Sequence, residues 1–78
     1  MFKRRLGSDP HLDGATPALN GCPDMWELES GEFAVIGIDQ TAALMPHLPA
    51  SASCGQDERI VVVPRRTLVG ARPDIPLT

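Results

Sequence analysis

The chain has no tyrosine, one tryptophan and two phenylalanines, and its two cysteines and two histidines never fall close together. Zinc sites are commonly built from ligand pairs about two to four residues apart. Cys22, Cys54, His11 and His47 offer no such pair, so no metal is expected. Glycine-rich phosphate loops are missing too, because Gly31, Gly37 and Gly55 stand alone, each in a turn or bulge context. The longest apolar runs, Phe33 to Ile38 and Ile60 to Val63, fall far short of the roughly 18 residues a membrane helix requires. With so few aromatics, Trp26 and Phe33 are expected in a core rather than on a base-stacking platform.

Basic residues are absent from the whole interval between Arg5 and Arg59. Of the ten carboxylates, all but Asp74 fall inside that interval, from Asp9 to Glu58. The order along the chain is therefore basic, acidic, basic, which the net charge of -3 and pI near 5.1 conceal. Such a balance argues against a dedicated nucleic-acid binder. It leaves Arg65, Arg66 and Arg72 as candidates for a local nucleic-acid contact, set against the simpler reading of a solvated face. The start of the chain is basic but is followed by Gly, Ser, Asp, Pro and His rather than an apolar segment, so no secretory signal is read there. The expected location is the cytoplasm, where Cys22 and Cys54 are expected as thiols; their pairing is left open.

With 78 residues, 42% of them hydrophobic, the chain has material for one small domain with a thin core. Eight prolines and seven glycines keep every element short. Residues 1–22 are interrupted by Gly or Pro every few positions and read as a disordered tail. Residues 23–72 read as a single α+β domain, and residues 73–78, with Pro73 and Pro76, as a C-terminal tail. Met25 to Glu29 alternates apolar and acidic residues, which predicts a strand with Trp26 and Leu28 on one face and Glu27 and Glu29 on the other. Ser30 and Gly31 follow as a two-residue turn, and Glu32 to Ile38 returns as the second strand. That register pairs Glu29 with Glu32, Leu28 with Phe33 and Trp26 with Val35, placing Trp26, Leu28, Phe33 and Val35 on a common inward face.

Asp39 or Thr41 caps a short helix over Thr41 to Leu48, limited by Pro46, and a loop runs from Pro49 to Glu58. Ile60 to Val63 is apolar on both faces, as expected of a third, central strand or of a contact with another chain. The twenty or so residues before it leave its direction open. Pro64 opens a second helix through Gly70, with Leu68 and Val69 inward. The resulting fold class is α+β: a small three-stranded sheet in the order β-hairpin, helix, strand, helix, with a disordered N-terminal tail.

Catalytic chemistry finds little support. His47 and Cys54, seven residues apart, make the only conceivable nucleophile and base pair, and no oxyanion feature accompanies them. Glu27 and Glu29 are read as a solubilising strand edge rather than an acid and base.

The stretch Cys22 to Gly37, Cys-Pro-Asp-Met-Trp-Glu-Leu-Glu-Ser-Gly-Glu-Phe-Ala-Val-Ile-Gly, resembles one carried by a group of short, uncharacterised actinobacterial proteins. A second similar block runs from Asp57 to Arg65, then Leu68, and closes with Asp74, Ile75 and Pro76. The resemblance spans about residues 22 to 76, with Glu32 standing where that group has Asp, and it implies no particular activity. The strand, proline and short-helix ending is also similar to small accessory proteins of helix-turn-helix regulators. Taken together, the residues lead us to expect a small cytoplasmic protein-interaction or regulatory accessory protein with no catalytic activity and no cofactor. Its partner is expected to be another protein or a second copy, engaged through Ile60, Val61, Val62, Val63, Ile36 and Ile38. The alternative is a nucleic-acid-associated regulator using Arg65, Arg66 and Arg72.

Overall fold

A computed structural model describes residues 1–9 and 23–78. The chain is an α+β protein with a three-stranded antiparallel sheet and two helices, as the residue pattern predicts. The strands of that sheet are not all the expected ones. β1 (Phe2–Arg5), β2 (Asp24–Leu28) and β3 (Phe33–Ile36) lie in the order β1-β2-β3. The tail expectation is thus corrected for residues 2–9, while its remainder, with Cys22 and His11, lies outside the described residues.

Charge pairing accounts for β1. Its basic run sits beside the acidic positions of β2: Arg4 Nε donates to Glu27 Oε1 at 2.9 Å, and Arg5 Nε lies 3.1 Å from both oxygens of Asp24. Both carboxylates are buried. Unpaired, each would carry a large desolvation penalty. Glu27 is accordingly not part of an exposed acidic edge. The segregated charges of the sequence are partners across two neighbouring strands.

The β2–β3 hairpin forms with its register one residue away from expectation: Glu27 faces Phe33, Trp26 faces Ala34 and Met25 faces Val35. The turn holds three residues, Glu29, Ser30 and Gly31, closed by Leu28 N–H donating to the Glu32 carbonyl at 2.9 Å. Two-residue hairpin turns need positive φ at their first central residue. Ser30 does not supply it, whereas Gly31 adopts φ +92°. The single slip moves every side chain of one strand to the other face relative to its partner. Met25, Glu27, Phe33 and Val35 share one face, and Asp24, Trp26, Ala34 and Ile36 the other.

The Met25 face carries the core. Leu6, Met25 and Ala71 are the buried apolar residues among those described, with Ile75 packed against them. The second helix, α2 (Arg65–Ala71), packs against β2, with Ala71 fully buried and Thr67, one turn earlier, half-buried. A small residue permits this close approach. Leu68 and Val69, expected inward, are 55% and 59% exposed. The segment after α2 continues as a 3₁₀ turn over Arg72–Asp74, whose Asp74 Oδ2 accepts from Gly7 N–H at 2.8 Å and whose Asp74 carbonyl accepts from Arg4. The expected C-terminal tail is therefore tied down through Asp74 and Ile75.

A second sheet completes the fold. β4 (Ile38–Asp39) pairs antiparallel with β5 (Val61–Val62), with Ile38 opposite Val62 and Asp39 opposite Val61. The apolar run that was expected to join the hairpin sheet forms this separate ribbon instead. β2 already has a neighbour on each side, and the chain breaks from β3 to β4 at Gly37. Between the ribbon strands lie α1 (Thr41–Leu44) and a 3₁₀ turn over Met45–His47, matching the helix that Pro46 limits.

Candidate functional site

The ribbon gathers most of the residues singled out for binding. Ile38 and Val62 are directly opposed, and the Gln40 N–H donates to the Ile60 carbonyl at 2.8 Å to extend the ladder. Ile60 N–H donates in turn to Thr41 Oγ1 at 2.8 Å. Asp39 Oδ1 accepts from both the Thr41 hydroxyl and the Thr41 amide, at 2.7 and 3.0 Å. These bonds, the hydroxyl's first, hold the Asp39 carboxyl below the usual carboxylate range, with Arg59 adding a favourable charge. The same Asp39 to Thr41 to Ile60 relay fixes the start of α1 onto the ribbon. Gly37 makes the crossing possible, because a Cβ there would lie 2.7 Å from the Val62 carbonyl oxygen and 2.9 Å from Val63 Cγ1.

The aliphatic side chains so positioned are open to solvent. Ile38 is 64% exposed, Val62 43% and Val61 39%. Ile60 and Val63 are half-buried. Ile36 is 46% exposed but belongs to β3, on the far side of the Gly37 break. It lines a different feature, a concavity of about 330 Å³ formed with Phe2, Arg5, Asp24 and Trp26 on the helix-free face of the main sheet.

That concavity was not legible locally, because it needs β1. The Arg5 guanidinium lies 4.6 Å from the centre of the Trp26 ring, and Phe2 meets the same ring edge-on at 5.5 Å. Asp24 ties the group together. Its Oδ2 accepts from Trp26 Nε1 at 2.9 Å and pairs with Arg5 Nη2 at 3.0 Å, while its Oδ1 accepts from Met25 N–H at 3.1 Å. Hydrogen bonding to Asp24 raises the Arg5 pKa above its ordinary value. Trp26 is thus not a core residue against α2 but the floor of a satisfied cation–π and ion-pair cluster. No buried side-chain nitrogen or oxygen among the described residues lacks a partner, so these polar groups serve the fold.

Arg65 and Arg66 open α2 and Arg72 follows it, all three exposed. His47 is exposed in its 3₁₀ turn, and half-buried Cys54 points its thiol at the Gly55 carbonyl, 3.9 Å away. No cluster of three or more His, Cys, Asp or Glu suited to a metal occurs among the described residues, and none of their helices is long and apolar enough to cross a membrane. No family model, curated protein or solved structure matches the chain.

Proposed function

We propose that this chain is a small cytoplasmic protein-interaction or regulatory accessory protein, without catalytic activity, that acts through the apolar surface of β4 and β5. One observation carries the reading. Ile38 keeps 64% of its surface in water, Val62 43% and Val61 39%, while the buried apolar residues among those described are Leu6, Met25 and Ala71. A domain with so little core gains little from leaving aliphatic strand residues outside it. Contiguous exposed apolar residues rimmed by charge mark interaction surfaces. Here Ile38 and Val62 lie side by side on one face of the ribbon and Val61 beside Asp39 on the other, with exposed Asp57, Glu58 and Arg65 flanking β5 in the sequence.

The test compares tagged wild-type protein with Ile38→Lys and Val62→Lys variants in affinity purification, with and without nuclease. Loss of a stoichiometric protein partner from both variants, with the circular-dichroism spectrum unchanged, supports the reading. Partners retained by both variants refute it. Partners lost only on nuclease treatment transfer the function to Arg65, Arg66 and Arg72, the nucleic-acid alternative, whose signature is steep salt dependence.

A further inference from the structure

Four strands of the described sheets have a neighbour on one side only: β1 and β3 at the two edges of the main sheet, and β4 and β5 in the ribbon, of which β4 carries only the acidic Asp39. Their flanking charges differ. β1 is itself basic, with Lys3, Arg4 and Arg5, and would repel its own copy. β3 lies between Glu32 and Asp39, which an antiparallel self-pairing would set against each other. β5 alone has carboxylates before it and only arginines after: Asp57 and Glu58, followed by Arg59, precede it, and Arg65 and Arg66 follow. The run Asp-Glu-Arg-Ile-Val-Val-Val-Pro-Arg-Arg is complementary to itself when reversed.

We propose that β5 pairs antiparallel, edge to edge, with β5 of a second copy of this chain, joining two ribbons into a four-stranded sheet across a two-fold axis at Val61. The inference rests on the reading of the ribbon as an interaction surface and names its partner.

The backbone geometry selects this register. Because Gln40 N–H bonds the Ile60 carbonyl, Ile60 and Val62 direct their backbone groups toward β4, and Val61 and Val63 direct theirs toward the open edge. Val61 can therefore exchange both backbone bonds with Val61 of the partner subunit. Arg59 then opposes the partner's Val63 in the next hydrogen-bonded position. Pro64, which has no N–H, falls at a non-bonded position opposite the partner's Glu58, where none is required. Ile60 opposes the partner's Val62, so Ile38, Ile60 and Val62 of both copies line one continuous apolar face. Asp57, in the turn before the strand, and Arg65, which opens α2, lie beyond the extended residues and bring opposite charges to each end of the pairing, twice by symmetry. Shifting the pairing by two residues to centre on Val62 would instead oppose Arg59 and Arg65. The strand is short and carries Arg59 and Pro64 at its ends, both of which discourage open-ended aggregation. Association is accordingly weak, with a dissociation constant on the order of micromolar or above, and is weakened by salt.

The experiment is sedimentation equilibrium of the full chain across a wide concentration range. Wild type is expected to form dimers. Arg65→Glu should raise the dissociation constant about tenfold, because opposite charges are lost at both ends of the pairing, and the exchange Asp57→Arg with Arg65→Asp should restore it. In a Cys22→Ser, Cys54→Ser background, Val61→Cys should cross-link to itself under mild oxidation, since a hydrogen-bonded antiparallel pair holds Cα atoms about 5.5 Å apart, within disulfide reach. A monomer at every concentration overturns the proposal, and so does a dimer that neither responds to the charge exchange nor cross-links at Val61. In either case, sensitivity of a heterologous partner to Ile38→Lys would leave the broader reading standing. Its insensitivity would remove both.

Discussion

Replacing Asp24 by alanine is predicted to cost the fold about 2–3 kcal/mol. Asp24 is only 8% exposed, and its two oxygens accept from Met25 N–H, Trp26 Nε1 and Arg5. Bonds to a charged acceptor contribute roughly 1.5–3 kcal/mol each where desolvated. Arg5 retains a third of its side-chain exposure, which screens its share to about 0.5–1 kcal/mol. The indole N–H can turn to water once its acceptor is gone, limiting its loss to about 1 kcal/mol. Releasing the guanidinium from the ring removes a further 0.5 kcal/mol or so. A domain of 78 residues has a net stability of about 4–12 kcal/mol, so the melting temperature should fall by roughly 10–20 °C. Trp26, the only tryptophan, reports the transition directly by fluorescence in urea. Asp24→Asn, which keeps one acceptor oxygen but not the charge, should lose about half as much. A change under about 0.5 kcal/mol for Asp24→Ala would refute the assignment of Asp24 as the organiser of the β1–β2 pairing.

The packing of α2 predicts that Ala71→Leu destabilises by about 1–3 kcal/mol through overpacking, while Leu68→Ser stays within about 0.5 kcal/mol; thermal melts giving the reverse order would place the wrong helix face inward. Gly37→Ala should destabilise the ribbon by about 1–3 kcal/mol, because the added methyl meets a backbone carbonyl, and should speed amide exchange at Gln40 above all; unchanged exchange there would contradict the close crossing. The Asp39 carboxyl titrates lower in the folded chain than its ordinary 3.8, so its contribution to the α1 start is complete above that value and is lost as pH falls through the folded pKa. The Thr41 amide resonance should report that titration below pH 3.8, and a midpoint at or above it would show that the Asp39 to Thr41 bonds do not form in solution.

Local pattern revealed the hairpin, both helices and the apolar run at Ile60 to Val63, because alternation, capping and proline placement act within a few residues. What local pattern could not reveal came from pairings distant in sequence. β1 hides inside a basic, glycine-interrupted segment, and its reason to form lies some twenty residues away in Asp24 and Glu27. The hairpin register turned on one residue's backbone preference: Ser30 avoids the positive φ that a two-residue turn demands, so Gly31 takes it one position later. The ribbon required Gly37 to be read as a crossing point between sheets instead of a member of one strand. Of the residues named as binding candidates, Ile38, Val61 and Val62 meet in the ribbon and are part-exposed, since so small a core cannot take every aliphatic strand residue. Ile36 was grouped with them by composition alone and lies with Trp26 instead.

Amide hydrogen exchange across Ile60 to Val63, measured on the same protein in dilute and concentrated solution, probes the β5 edge residue by residue. The Val61 and Val63 amides, which face the open edge, should exchange rapidly when dilute and be selectively slowed when concentrated, while the Met25 and Trp26 amides are unchanged. Equal rates for Val61 and Val63 at both concentrations, in protein whose association is otherwise demonstrable, would place the contact elsewhere and contradict the β5 pairing.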